Sequence, residues 1–323
     1  MLRIHFSAAD VLGLRVSVAP DPLWELLLSV HAAQTVGISG ALRAWRTAVR
    51  GKLAPSAALL WPLARPLGYS PDFLTPTAGE ADFETGLDQL LATSRTSLRA
   101  DLSLLATQTR PTAWTTDLAD GRREALHRLR DALKAYHAAA IDPFWDVIRR
   151  MAGADRERRA ATAIGEGAGA MLTALHPDIR WDGGVLEVGY PVDQDVHLEG
   201  RGLTLVPSFF CGPRPITLLR QNERPVLVYP VDREFDALAI GGSTRLSRSL
   251  AALLGRTRAQ ILHAIATDAP VTTSDLARSV GISVAGISQH TSVLRNAGLI
   301  TTVRDHGFAL HHVSPRGEVL LSG

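Results

Sequence analysis

TTSDLARSVGISVAGISQHTSVLRNAGLI, running from Thr272 to Ile300 of a 323-residue chain, places two short helical patterns either side of one glycine. Thr273 stands as the N-cap of a helix over Ser274–Val280, and Gly281 ends it. Ser283 caps a second helix from Val284 to about Ala297, closed by Gly298 in a left-handed conformation. On that second helix Ile287, Thr291 and Leu294 fall on one face, and Ala285, Gln289, Ser292 and Asn296 on the other. The outward face is polar yet nearly uncharged, and this needs a reason.

The flanking sequence supplies one. Leu246–Leu254 and Arg258–Ala266 read as two helices joined at Gly255, before the quoted stretch. After it, Leu299–Val303 and Phe308–Val313 alternate as two strands around Arg304-Asp305-His306-Gly307. Three helices and a hairpin in this order make a winged helix-turn-helix. Its second motif helix packs by an inner apolar stripe and presents short polar side chains near its N-terminus to base edges. The residues expected to read bases are Ser283, Ala285, Gly286, Ser288, Gln289 and Ser292. Those expected to hold phosphate, on the wing and around the helix, are Thr273, His290, Arg295, Arg304 and His306. Charge agrees: from Ser243 onward eight arginines face four acids, whereas the remainder of the +2 chain is slightly acidic. A basic module joined to a near-neutral one fits double-stranded DNA as partner.

Leu253-Leu-Gly-Arg-Thr-Arg-Ala-Gln-Ile-Leu-His-Ala-Ile-Ala, Asp275-Leu-Ala-Arg-Ser-Val-Gly-Ile-Ser, Ile287-Ser-Gln-His and Leu294-Arg-Asn-Ala-Gly-Leu-Ile together resemble the ArsR-type winged helix-turn-helix of bacterial repressors, over roughly Leu246–Leu321. Ser7-Ala-Ala-Asp, Pro22-Leu-Trp-Glu, Pro207-Ser-Phe-Phe-Cys-Gly-Pro-Arg-Pro and Pro225-Val-Leu-Val-Tyr-Pro are similar to a group of actinobacterial regulators with a long region ahead of that domain. The resemblance implies a repressor that binds a palindromic operator as a homodimer. Two positions depart from the family pattern: Gly286 replaces a threonine or similar residue, and Thr291 replaces a packing leucine. The first removes a base contact and costs about 1 kcal/mol of helix propensity. The second loosens the inner face. The resemblance also implies metal sensing, but Ser274–Val280 lacks the cysteine pair of arsenic and cadmium sensors. His311 and His312 are adjacent on a strand, so they point to opposite faces and cannot converge on one ion. Wing histidines are expected to meet phosphate or solvent. No metal and no cofactor is expected.

The rest of the chain reads differently. Residues 22–175 are mainly helical, with segments opening at Pro22, then Gly40–Leu53, Ala57–Leu67, Leu87–Leu105, Arg122–Ala140, Phe144–Met151 and Arg156–Leu175. From about 178 to 232 short β runs take over, beginning with a hairpin that turns at Asp182-Gly183-Gly184. Ile240-Gly-Gly-Ser-Thr marks the boundary. The expected fold is α+β: a mainly helical N-terminal region, 1–240, with a small β segment, then a winged helix-turn-helix over 243–323.

Gly165-Glu-Gly-Ala-Gly169 has no strand before it and reads as small residues for close packing, not as a phosphate loop. Cys211 reads as buried and structural, and a lone cysteine makes no disulfide framework. All six tryptophans lie outside the winged helix, and Trp24, Trp45, Trp61 and Trp145 are candidates to line a pocket for a small organic effector. Met1–Arg15 contains Asp10 and no long apolar run, so no leader is expected. With no membrane-length apolar stretch, a cytoplasmic location follows. No catalytic motif is present, so an enzyme is not expected. The competing reading is a ligand-binding module or enzyme whose winged helix contacts protein. Apolar residues at 285, 289 and 292 would favour it, where this chain has Ala, Gln and Ser.

Overall fold

The computed structural model describes residues 1–38, 40–76, 82–190, 193–218, 224–233, 250–268, 271–305 and 308–322. The chain divides into two compact units, residues 1–36 with 49–232 and residues 37–48 with 233–323. The expected continuous 1–240 region differs from this division, which places residues 37–48 and those from 233 onward with the second unit. The expected boundary at 240–243 and the start of the Leu246 helix lie outside the described residues.

The first unit begins with elements that the sequence reading did not anticipate. β1 (Leu2–His5) buries Leu2 and Ile4 and turns Arg3 and His5 outward, the period-two pattern of a half-buried strand. It lies inside a sheet ordered β3-β4-β1-β5, with β3 (Ile179–Asp182), β4 (Val185–Val188) and β5 (Gln194–His197). β3 and β4 form the expected hairpin, turning through Gly183 and Gly184 at positive φ. A second sheet is ordered β2-β6-β8-β7, from β2 (Arg15–Val16), β6 (Thr204–Ser208), β7 (Ile216–Leu218) and β8 (Val226–Pro230). β6 and β8 run parallel and are buried almost throughout, as strands covered on both faces must be. Leu2, Ile4, Leu186, Val188, Leu205, Leu227 and Tyr229 from the two sheets share one core.

Helices complete this unit: α1 (Ala8–Leu12), α2 (Pro22–Gln34), then α4 (Phe83–Leu91), α5 (Arg95–Ala106), α6 (Ala113–Ala119), α7 (Arg123–Ala140), α8 (Trp145–Glu166) and α9 (Ala168–Thr173). Three expectations change. Ala57–Leu67 is not a helix: a 3₁₀ turn at Pro55–Leu59 gives way to turns around Pro62 and Pro66. Leu87–Leu105 is two helices, because the Ser94 hydroxyl caps a new one at Ser97 N, 3.1 Å away. The break expected between Met151 and Arg156 is absent, and the helix instead ends at Gly167, φ 92°. Gly169, from the same glycine-rich run, leaves room for the Trp181 ring, which a Cβ there would meet at 2.7 Å.

The motif residues near the N-terminus turn out to be structural. Asp10 accepts from Ser7 N (2.9 Å), Ser7 Oγ (2.6 Å) and Gly202 N (2.9 Å). Those bonds hold its carboxyl below the usual range against an opposing burial effect, the largest single influence on it. Glu25, buried in α2, accepts from Ser208 Oγ (2.9 Å), Phe209 N (2.7 Å) and Phe210 N (3.0 Å). Asp155 of α8, also buried, accepts from Tyr229 Oη at 2.6 Å and from Arg158 and Arg159. Each carboxylate fastens a helix to the sheet layer through several donors, which is how a buried acid is tolerated. Cys211 is fully buried beside this network, as expected.

The second unit holds α3 (Gly40–Val49) up to residue 48, helical residues 250–254, α10 (Arg256–Asp268), β9 (Val271–Thr272), α11 (Thr273–Val280), α12 (Val284–Asn296), β10 (Ile300–Asp305), β11 (Phe308–Val313) and α13 (Pro315–Ser322). Ile261, Leu262, Ile265, Leu276, Ile287 and Leu294 pack as one core from the three helices α10, α11 and α12. The sheet is ordered β10-β11-β9, so the wing has a third short strand. The fold class is the expected α+β with a winged helix-turn-helix at the C-terminal end.

Candidate nucleic-acid interface

The two motif helices are set by their ends. Thr272, not Thr273, caps α11: its hydroxyl accepts from Asp275 N at 3.1 Å and donates to the Asp275 carboxylate at 2.7 Å. Gly281, φ 75°, closes the helix in the left-handed region. Ser283 caps α12 as expected, accepting from Gly286 N at 3.1 Å. At the far end Leu299 N reaches Leu294 O (2.9 Å) across Gly298, φ 71°. That is a Schellman closure, and both leucines lie in the core. Ser314 then ties the exit, donating to Gly298 O at 2.6 Å and accepting from Gly317 N at 3.1 Å to start α13.

The inner stripe of α12 is Ile287, Thr291 and Leu294, all buried. Full burial of such an Ile or Leu stabilises by about 1.5–3 kcal/mol. Thr291 costs less than its substitution for a leucine implied, because its hydroxyl donates to Ile287 O at 2.9 Å and leaves no orphan. A Cβ at Gly286 would stand 3.3 Å from the capping Ser283 Oγ, a tight contact, and 3.6 Å from Ile282 Cδ1, an ordinary one.

Of the expected base-reading residues, Ser283, Ala285, Ser288 and Gln289 are exposed, while Gly286 and Ser292 are half-buried. Arg295, exposed in the last turn, reaches Ser292 Oγ at 3.4 Å. Arg304 is exposed on β10, opposite Ala309, and His290 is half-buried. His306 lies outside the described residues. Thr273 is placed differently from the expectation: half-buried, its hydroxyl is engaged with His311 Nε2 at 3.0 Å.

His311 is the residue whose role the sequence reading missed. It is 2% exposed, and its Nδ1 meets Thr302 Oγ1 at 2.9 Å. One imidazole therefore joins the start of α11 to strand β10, fixing the wing against the motif. It meets neither phosphate nor solvent. A neutral ring serves both bonds, donating from one nitrogen and accepting at the other. Burial, then the charges of Arg295 and His312, lower its pKa below 6.5. The unfolded chain therefore binds the proton more readily, so this contribution to stability is full above pH 6.5 and is lost as pH falls below it. The difference in melting temperature between wild type and His311→Gln should shrink from pH 7.5 to pH 5. Taking the difference removes His31, buried and pushed down to about 4, which acts with the same sign. A pH-independent difference would show that the ring's protonation does not matter.

Residues 255–302 match the family model described as bacterial regulatory protein, arsR family. The C-terminal part of the chain is an arsR-family regulator domain. That domain suggests a DNA-binding transcription regulator. The match runs from Gly255, at the start of α10, through the motif helices into β10. Neither a curated protein nor a solved structure matches the chain. Among the described residues the arsR-family domain holds no group of three or more His, Cys, Asp or Glu side chains able to share a metal. Among the described residues no helix is long and apolar enough to cross a membrane.

Of the four candidate effector-pocket tryptophans, Trp24, Trp61 and Trp145 belong to the first unit and Trp45 to the second. Trp24 and Trp45 are buried, and Trp61 sits edge-on to Tyr136 with centroids 6.2 Å apart. The first unit has an apolar cavity between α2, the 55–64 segment and α7, lined by Leu23, Leu27, Leu60, Leu63 and Leu133 and by no tryptophan. Its room is about 10 Å³, the space of roughly one water molecule.

Proposed function

We propose that this regulator is a repressor that reads a palindromic operator as a homodimer, senses no metal, catalyses no reaction, and is controlled by a small organic effector acting through its first unit. The observation that carries the DNA reading is the solvent-facing, uncharged polar surface of α12, with Ser283, Ser288 and Gln289 exposed on a helix whose opposite face is committed to the core. Serine and glutamine can bond base edges, glutamine to adenine in two places, with no net charge to draw them to phosphate. Family resemblance supports the repressor role and the two-fold dimer, because a palindrome mirrors a dimer axis. The size and apolar interior of the first unit support an organic effector over an ion. Its small cavity means that α2 and α7 side chains must part to admit one. A ligand changes DNA affinity only by binding two states of the protein unequally.

Two measurements test these finer points. Light scattering at micromolar concentration should give twice the 34.7 kDa chain mass, and a clean monomer would contradict the dimer. Protein stripped with chelator should keep full affinity for its operator, and zinc or arsenite should not release it. Loss of binding on chelation, restored by one equivalent of metal, would overturn the metal-free reading.

A further inference from the structure

We propose that Val284 reads a thymine 5-methyl group, a contact that rests on the DNA reading above and extends it to one base. Val284 is the first residue of α12, directly after the Ser283 cap. It is 51% exposed and stands outside the packed core of its unit, so its side chain does little to hold the fold. A β-branched residue is also a poor choice for helix propensity, so propensity does not explain it.

Position explains it better. The second motif helix of a helix-turn-helix enters the major groove with its N-terminal residues against base edges. The first three residues of α12 are Val284, Ala285 and Gly286, none with a hydrogen-bonding side chain. The Ser283 oxygen just before them accepts from Gly286 N, which leaves its O–H to donate. Val284, Ala285 and Gly286 are therefore unsuited to reading donors and acceptors, and that task falls to Ser283 before them and to Ser288 and Gln289 one turn later. Among base edges in the major groove, the apolar feature is the thymine methyl. An exposed valine followed by an exposed alanine matches that methyl and mismatches the amino group of cytosine.

The test uses the full-length protein and a duplex selected from a random pool. Each thymine of the bound site is replaced in turn by deoxyuridine, which removes only the methyl. At one position in the half-site, wild type should lose about fourfold in affinity, the worth of roughly one buried methylene. Val284→Ala should bind the thymine site about as weakly as wild type binds the deoxyuridine site, and should be insensitive to that replacement. Val284→Thr, which keeps a methyl, should retain the sensitivity. Circular dichroism melts of the variants should coincide, since the residue is exposed. If no deoxyuridine position weakens wild type, or if the effect is equal in Val284→Ala, the assignment is wrong while the DNA reading stands. If the pool yields no preferred site, the DNA reading fails and the assignment fails with it.

Discussion

Glu25→Ala should destabilise the first unit by about 3–5 kcal/mol, because it takes away the acceptor that three buried neutral donors share. The Ser208 hydroxyl and the Phe209 and Phe210 amides all donate to this carboxylate inside the protein. Alanine removes this shared acceptor, and each buried group left unsatisfied costs about 1–3 kcal/mol. Glu25→Gln keeps the volume but puts an NH₂ against a donor, so it should lose about 1–3 kcal/mol. For a unit of this size the alanine variant should melt about 10 °C lower. Tryptophan fluorescence is the suitable probe, since five of the six tryptophans lie in the first unit. A melting point within about 2 °C of wild type would show that the carboxylate does not hold the α2–β6 junction.

Gln289→Ala and Arg304→Ala should both weaken operator binding, in distinguishable ways. Gln289 is exposed on the outward face of α12, and a glutamine amide bonds adenine N6 and N7 together. Its loss should cost about 1–3 kcal/mol on the preferred site and relax the preference at one base pair. Arg304 is exposed on the wing strand, and phosphate contact is the role proposed for it. Its loss should weaken binding to every sequence alike and reduce the salt slope by about one unit. Titrations on preferred and scrambled duplexes at several salt concentrations separate the two. Equal losses on both duplexes for both variants would mean that the roles are assigned wrongly.

The arsR-family domain was largely legible because its signals are local. Ser283, Gly281 and Gly298 punctuate the helices within a few residues of the stripe they bound, and Ile287, Thr291 and Leu294 are buried as their spacing requires. The cap at Thr272 was misplaced by one residue because two threonines stand side by side, and only the second reaches His311. His311 itself was hidden because its partners, Thr273 and Thr302, come from two other elements. In the first unit the signals act at long range. β1 pairs with β4 and β5 some 190 residues away, and nothing in Leu2–His5 announces those partners. α8 runs on through Gly153, and Asp155 just beyond it bonds Arg158 and Arg159 of the same helix and Tyr229 from the distant β8. Asp10 and Glu25 stood in motifs quoted for a resemblance, yet their purpose became readable only with Gly202 and Ser208–Phe210 beside them.

Selection of bound duplexes from a random-sequence pool, run at low and at near-physiological salt, tests the central claim most directly. The account predicts a palindromic consensus with half-sites about one helical turn apart, retained at the higher salt while non-specific binding falls away. Recovery of unselected sequences at low salt and of nothing at the higher salt would contradict it, leaving a basic domain that touches DNA without reading it.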